Sequence, residues 1–161
     1  MPGKEFFEAM PLESDFTFND MRTRKACVPS ANGHFSARAL ARMYGALANG
    51  GEVDGVRLVS KARVTEMQRI CTREPDRVIM GIPLVKGIGF FMGGNLNGMV
   101  GAAGPRETAF GHPGAGGSIA FADPEVGLSV AVTLNRMQNA LQGEGPTAET
   151  CHFIRAELGV G

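Results

Sequence analysis

The sequence predicts an α+β fold, an antiparallel sheet with flanking helices. Three observations carry that prediction. Residues 118–122 and 128–134 alternate with a period of two, which argues for strands. Residues 36–49 repeat apolar side chains at i, i+3, i+4 and i+7 behind a capping serine, which argues for a helix. A last apolar stripe follows Gly145-Pro146, so a terminal helix packs on the sheet.

The first 32 residues show no sustained period. Phe6, Phe7, Met10, Leu12, Phe16 and Phe18 are apolar but irregularly placed, so residues 1–32 read as an arm followed by a loop. Residues 36–71 form a helical part. In its first helix Leu40, Met43, Tyr44 and Leu47 make the inward stripe, Ser36 caps the start and Asn49-Gly50-Gly51 ends it. Residues 51–59 are a turn and a short extended piece. Ser60 caps a second helix to about Ile70, with Val64, Met67 and Cys71 inward.

Residues 77–136 form the sheet part. Arg77 to Gly94 reads as two strands around Pro83 and Gly87, and Pro83 favours an edge or a bend. Residues 95–107 are a glycine-rich loop. From Thr108 the pattern is strand, glycine-rich turn, strand, short loop, strand. Ile119 and Phe121 share one side of the second strand. Leu128, Val130, Val132 and Leu134 share one side of the third, with Ser129, Ala131 and Thr133 opposite. Asp123-Pro124-Glu125-Val126-Gly127 is hairpin chemistry, so these two strands are antiparallel neighbours. Residues 146–158 form the last helix, with Ala148, Cys151, Ile154 and Leu158 inward.

Composition narrows the function. The chain has 161 residues, suited to one domain, with 43% hydrophobic and 20% charged residues. Acidic and basic residues balance at 16 each, so bulk charge favours neither nucleic acid nor an anionic membrane. No apolar run is long enough for a membrane span, and MPGKEFFEAM is not a secretory signal, which leaves the cytoplasm as the default expectation. The three cysteines, Cys27, Cys71 and Cys151, are too few and too widely spaced for a disulfide framework or a zinc site. Cys151-His152 is discounted as a nucleophile and base, because adjacent helical residues do not face each other. His34 and His112 have no metal-ligand partners at usable spacing, and no phosphate loop is present. No cofactor is implied.

The chemical interest lies in His112-Pro113-Gly114-Ala115-Gly116-Gly117-Ser118. One titratable ring stands beside backbone that is almost bare of side chains. Glycine there admits close approach of another molecule and exposes N–H donors, which can stabilise a developing oxyanion. The same residues also read as a tight turn with a surface histidine.

FGHPGAGGS followed by IAFADPEVGLSVAVTLNRM resembles the third motif and closing hairpin of the serine beta-lactamase family. That family includes class C beta-lactamases, penicillin-binding carboxypeptidases and related esterases. Val28 to His34 and Ala37 to Gly51 (ARALARMYGALANGG) resemble its esterase-like branch. The resemblance runs from about Cys27 to Met137. It implies an incomplete beta-lactamase/transpeptidase-like fold and matches His112-Pro113-Gly114 to the His-x-Gly box on the strand that edges the site. It also implies that Ala115 donates an oxyanion N–H and that His112 and Gly114 shape the substrate strand. Histidine in place of lysine points to an ester, amide or peptide substrate in the complete protein.

The family nucleophile motif, Ser-x-x-Lys, is missing. The six serines are followed three places later by Thr17, Gly33, Ala39, Arg63, Phe121 and Val132. Ser60 with Arg63 comes nearest, but guanidinium stays protonated and cannot act as a base. Tyr-x-Asn is missing too, since Tyr44 is followed by Gly45 and Ala46. An α/β-hydrolase reading of Gly116-Gly117-Ser118-Ile119-Ala120 with Asp123 and His152 fails, because the motif's last glycine is Ala120 and a strand follows Ser118 where an elbow needs a helix.

Two expectations follow. The chain is a C-terminal part of a serine hydrolase, inactive alone and with no catalytic residue of its own. Alternatively it is a non-catalytic truncated module that binds or regulates a full-length relative. An incomplete sheet would leave an unpaired edge that invites self-association.

Overall fold

The structure is a computed structural model that describes residues 17, 19–29, 31–79, 81–96, 99–101, 103–138 and 145–161. The early aromatic residues from Phe6 to Phe16, and Phe18, lie outside the described residues. The chain divides into two compact units, Met1–Phe35 with Pro75–Ile82, and Ser36–Glu74 with Pro83–Gly161.

In the first unit α1 (Met21–Lys25) starts at Asp20, whose carboxylate accepts the Arg22 N–H at 2.7 Å. The Arg22 guanidinium also bonds that carboxylate, and the two contacts hold Asp20 below the usual carboxylate range. The Asn32 side chain ties the following loop by donating to the Thr23 and Ala26 carbonyls. Farther on, the Asp76 carboxylate closes a turn by accepting from the N–H groups of Val78 and Ile79, both at 2.8 Å.

The second unit holds the main sheet. α2 (Ala37–Ala48) is capped as its sequence predicts, with the Ser36 hydroxyl accepting the Ala39 N–H at 3.2 Å. β1 (Glu52–Val53) and β2 (Val56–Arg57) make a small hairpin, and α3 (Lys61–Met67) is capped by Ser60. The pair β3 (Pro75–Asp76) with β4 (Ile82–Pro83) belongs to the first unit as far as Ile82; in the second unit, after β5 (Phe91–Met92), β6 (Asn95–Leu96) pairs with β7 (Met99–Val100). β8 (Phe110–Pro113), β9 (Ile119–Asp123) and β10 (Leu128–Val132) follow, and α4 (Gly145–Glu157) is the last helix.

The main sheet has four antiparallel strands in the order β10-β9-β8-β5. Its hairpin β9–β10 pairs Asp123 with Leu128 and Ile119 with Val132. Gly127 closes the hairpin at φ +63°, a conformation that favours glycine.

Alternation along β9 divides the core between two faces. Ala120 and Ala122 pack with Phe110, Met92 and the α2 residues Tyr44, Leu47 and Ala48. Ile119 and Phe121 pack with Val130, Ala109 and the α4 residues Ala148 and Cys151. Helices therefore cover both faces, and every residue of β9 is buried. Burial leaves the Tyr44 phenol with a raised pKa. α2 lies close over β10 because Gly45 has no side chain there, and the Ser129 hydroxyl donates to the Ala41 carbonyl at 3.0 Å.

Several local expectations are corrected. Met43 is exposed, because α2 meets the sheet through Tyr44, Leu47 and the small Ala46 and Ala48. α3 stops at Met67, and Cys71 is exposed in the segment that pairs with Lys86. Leu158 is exposed because α4 ends at Glu157; the buried residue in its last turn is Arg155. Of the two strands expected between Arg77 and Gly94, only Ile82–Pro83 and Phe91–Met92 form, since Gly89 turns the chain at φ +76° between them.

Candidate active site

β8 brings its end to a point where two neighbours behave differently. On one side β9 pairs along its whole length, from Phe110↔Ala122 to Pro113↔Ile119. On the other, β5 pairs only with Phe110 and Gly111. From His112 onward that second side of β8 has no paired strand among the described residues. Gly111 is required at the crossing, because a Cβ there would sit 2.2 Å from the Ala120 carbonyl oxygen.

The turn after β8 is tightly closed. The Gly114 N–H donates to the Ser118 carbonyl at 2.6 Å, and Gly117 N–H donates to the Gly114 carbonyl at 3.0 Å. The chain leaving β10 braces the same turn. Gln138 N–H donates to the Gly116 carbonyl at 3.0 Å, and Leu134 N–H donates to the Ser118 hydroxyl at 3.1 Å. Met137 lies over Gly116, where a Cβ would meet it at 2.8 Å. Ala115 is exposed at the tip, and its N–H and that of Gly116 find no acceptor among the described residues. A turn held from both sides, with backbone donors left without an acceptor among the described residues, offers what an oxyanion site needs.

His112 is exposed, its ring stacked on Phe91 with centroids 4.7 Å apart and planes 23° apart. Its Nδ1 lies 2.7 Å from the Pro113 carbonyl, which only accepts, so Nδ1 carries the proton in this contact and Nε2 is left for another molecule. The Lys86 ammonium lies over the other part of this aromatic group, 5.9 Å from the Phe91 centroid. The residue sequence reasoning missed here is Phe91. No local pattern marks it; it reaches His112 because β5 pairs with Gly111.

The structure thus places His112, Gly114 and Ala115 together at one strand end. It separates the other candidates. The Ser60 hydroxyl is used as a helix cap, and Arg63 pairs with Glu66. Ser118 is held by Leu134, whereas Asp123 is buried at the far end of β9 against Arg155 at 2.7 Å. His152 faces the Gly101 carbonyl at 3.3 Å, and Cys151 is buried in the core beside Arg155, where burial pushes its thiol up to about 11. Among the described residues no group of His, Cys, Asp and Glu is arranged to hold a metal ion.

Comparison with known proteins agrees with this fold. The family model described as Beta-lactamase matches residues 3–150. The chain is 44% identical over 114 residues to the esterase/beta-lactamase LipL of Mycobacterium tuberculosis, covering 71% of this chain and 25% of that protein. Its fold resembles a penicillin-binding protein homolog from Caulobacter crescentus, with TM-score 0.74 and 38% identity over 89% of this chain and 37% of that one. It also resembles a family VIII carboxylesterase, with TM-score 0.69 and 38% identity over 83% of this chain and 36% of that one. The chain therefore spans about a quarter of the curated relative and just over a third of the solved structures. With the antiparallel sheet and its flanking helices, these similarities establish that the chain belongs to the serine beta-lactamase-related family.

Proposed function

We propose that this chain is the C-terminal part of a serine hydrolase that cleaves an ester, amide or peptide through an acyl-enzyme. In that reading β8 is the wall along which substrate lies. Ala115 N–H is an oxyanion donor, His112 presents Nε2 to the substrate, and Gly114 keeps the strand end bare. The observation that carries the reading is the exposed Ala115 N–H, without an acceptor among the described residues, beside the open edge of β8. One oxyanion donor is worth about a hundred- to a thousandfold in rate.

The nucleophile is not supplied by this chain, whose serines lack a lysine three places on. We therefore expect the purified chain to leave p-nitrophenyl acetate and nitrocefin intact and to resist a fluorophosphonate probe. Co-production with an upstream segment carrying Ser-x-x-Lys should yield turnover and one labelled serine. In that assembly Ala115→Pro, which removes the N–H, should lower kcat about a hundredfold or more. Labelling of a serine in the chain alone would overturn this reading, with Ser118 the first to inspect. The alternative, a non-catalytic module that binds a full-length relative, rests on the missing nucleophile motif and on β10 standing at the edge of the sheet among the described residues. Stable binding to such a relative without any gain of turnover would favour it.

A further inference from the structure

We propose that Met137 is an oxidation site that closes the turn after β8. A hydroperoxide converts its thioether to a sulfoxide, and the new oxygen accepts the free N–H groups of Ala115 and Gly116. The modification and its bonds are independent of any activity. The loss of catalysis they imply rests on the proposed hydrolase reading.

Met137 combines exposure with a fixed seat. It is 76% exposed, against 56% for Met21 and 41% for Met43, while Met92 is buried in the core. Yet its side chain lies over Gly116, where a Cβ would meet Met137 Cγ at 2.8 Å and Cε at 3.1 Å. These are the two atoms bonded to the sulfur, so the thioether rests against the turn. The chain on either side is tied to that turn. Gln138 N–H donates to the Gly116 carbonyl at 3.0 Å, and Leu134 N–H donates to the Ser118 hydroxyl at 3.1 Å. Glycine offers no side chain to shield the sulfur, and an oxidant reaches it from solvent.

The turn supplies the partner. The N–H groups of Ala115 and Gly116 have no acceptor among the described residues. Thioether sulfur accepts hydrogen bonds only weakly, so the reduced side chain leaves both donors free. Oxidation makes the side chain polar and gives it an acceptor oxygen. The flexible methionine stem lets that oxygen turn toward the backbone beneath it. Met43 has no such partner: it stands inside α2, where backbone N–H groups are already bonded along the helix. Exposure alone therefore does not make the site; exposure beside free donors does.

The step is a two-electron oxidation. A sulfur lone pair attacks one peroxide oxygen, the S–O bond forms and the O–O bond breaks. The proton of the transferred oxygen passes to the departing one, which leaves as water from hydrogen peroxide. Sulfur is oxidised and the peroxide is reduced. Methionine sulfoxide reductases reverse the change. An oxygen bonded to these two donors occupies the place of a substrate oxyanion, so the oxidised form is closed and the reduced form open.

The test treats the full chain with hydrogen peroxide and follows it by peptide mass mapping and backbone-amide NMR. Met137 should gain one oxygen before Met43 does. The amide protons of Ala115 and Gly116 should then move downfield, as they do on gaining an acceptor, and reductases for both sulfoxide epimers should return them. Met137→Leu, which keeps an apolar side chain over Gly116 without sulfur, should show no such shift on oxidation. Met137→Gln, which carries a side-chain carbonyl, should show it without any oxidant. Oxidation of Met137 that moves neither amide, or an equal shift in the oxidised Met137→Leu chain, would overturn the proposal. So would oxidation of Met43 ahead of Met137. In the assembled hydrolase, oxidation should lower kcat about tenfold or more, since one oxyanion donor is worth about a hundred- to a thousandfold. An assembly without turnover would sink only the hydrolase reading, because the amide shifts do not depend on it. Turnover unchanged by oxidation of Met137 would sink only this inference.

Discussion

The two ends of β9 carry polar groups of opposite design. At its far end Asp123 is completely buried, with Arg155 at 2.7 Å and Arg106 at 3.4 Å. Arg155 is only 2% exposed, lies 5.2 Å from the Phe121 ring, and also donates to the Ala103 and Val160 carbonyls. At its near end the turn 114–118 is closed by Gly114 N–H on the Ser118 carbonyl and Gly117 N–H on the Gly114 carbonyl, and is braced by Gln138 N–H on the Gly116 carbonyl. It leaves the Ala115 N–H without an acceptor among the described residues. Polar groups turned inward and paired hold a fold; backbone donors left without an acceptor at an exposed, braced turn are available for chemistry. The difference lies in where the partners are, since both ends are built on one strand.

The comparison can be broken most directly at the buried end. Arg155→Met should remove the nearer Asp123 partner, leave only Arg106 at 3.4 Å, and destabilise the chain by about 3 kcal/mol, read by urea unfolding. Adding Asp123→Asn should recover about 1 kcal/mol or more, because a buried charge that has lost its nearer partner is gone. If the single change costs no more than an ordinary surface substitution, the buried cluster is not holding the fold.

The neighbouring thiol gives the next effect. Burial raises Cys151 from 9.0 to about 11 in the fold, against the opposing pull of Arg155. The unfolded chain therefore loses this proton first. Stability from this group is complete below pH 9 and falls as pH rises toward about 11. The loss is on the order of 2 kcal/mol. Unfolding midpoints measured across that range should fall for the natural chain, and Cys151→Ala should flatten the decline.

Effects at the outward end should be smaller in stability and larger in function. Ser118→Ala removes the acceptor of Leu134 N–H and should cost about 1 kcal/mol by urea unfolding. In the assembled hydrolase it should also loosen the turn and lower kcat. His112→Ala loses its stack on Phe91 and should cost about 0.5 kcal/mol. Ala115→Gly, at an exposed tip that keeps its N–H, should stay within about 0.5 kcal/mol of the natural chain. A loss at Ala115 as large as that at Arg155 would erase the contrast between the two ends.

Local pattern made much of this legible. Ser36 and Ser60 announce their helices because a capping hydroxyl acts within three residues. The β9–β10 hairpin shows because its alternation and its turn are contiguous in the chain. His112, Gly114 and Ala115 fall together for the same reason. The single inward stripe expected of α2 was less legible. Small residues pack as well as large ones where a helix lies close to a sheet, so Ala46 and Ala48 are buried while Met43 is exposed.

By itself, then, the sequence determined the sheet hairpin, the helix starts, the bare turn at His112-Pro113-Gly114-Ala115 and the absence of Ser-x-x-Lys from the chain. Each depends on residues close together along the backbone. Only the tertiary structure decided that β9 is covered on both faces, that Arg155 is buried against Asp123, and that Phe91 stacks on His112. Those facts join residues 32 positions apart or packed from separate elements. Burial and charge pairing are set by which elements meet in space, and no spacing along the chain encodes that meeting.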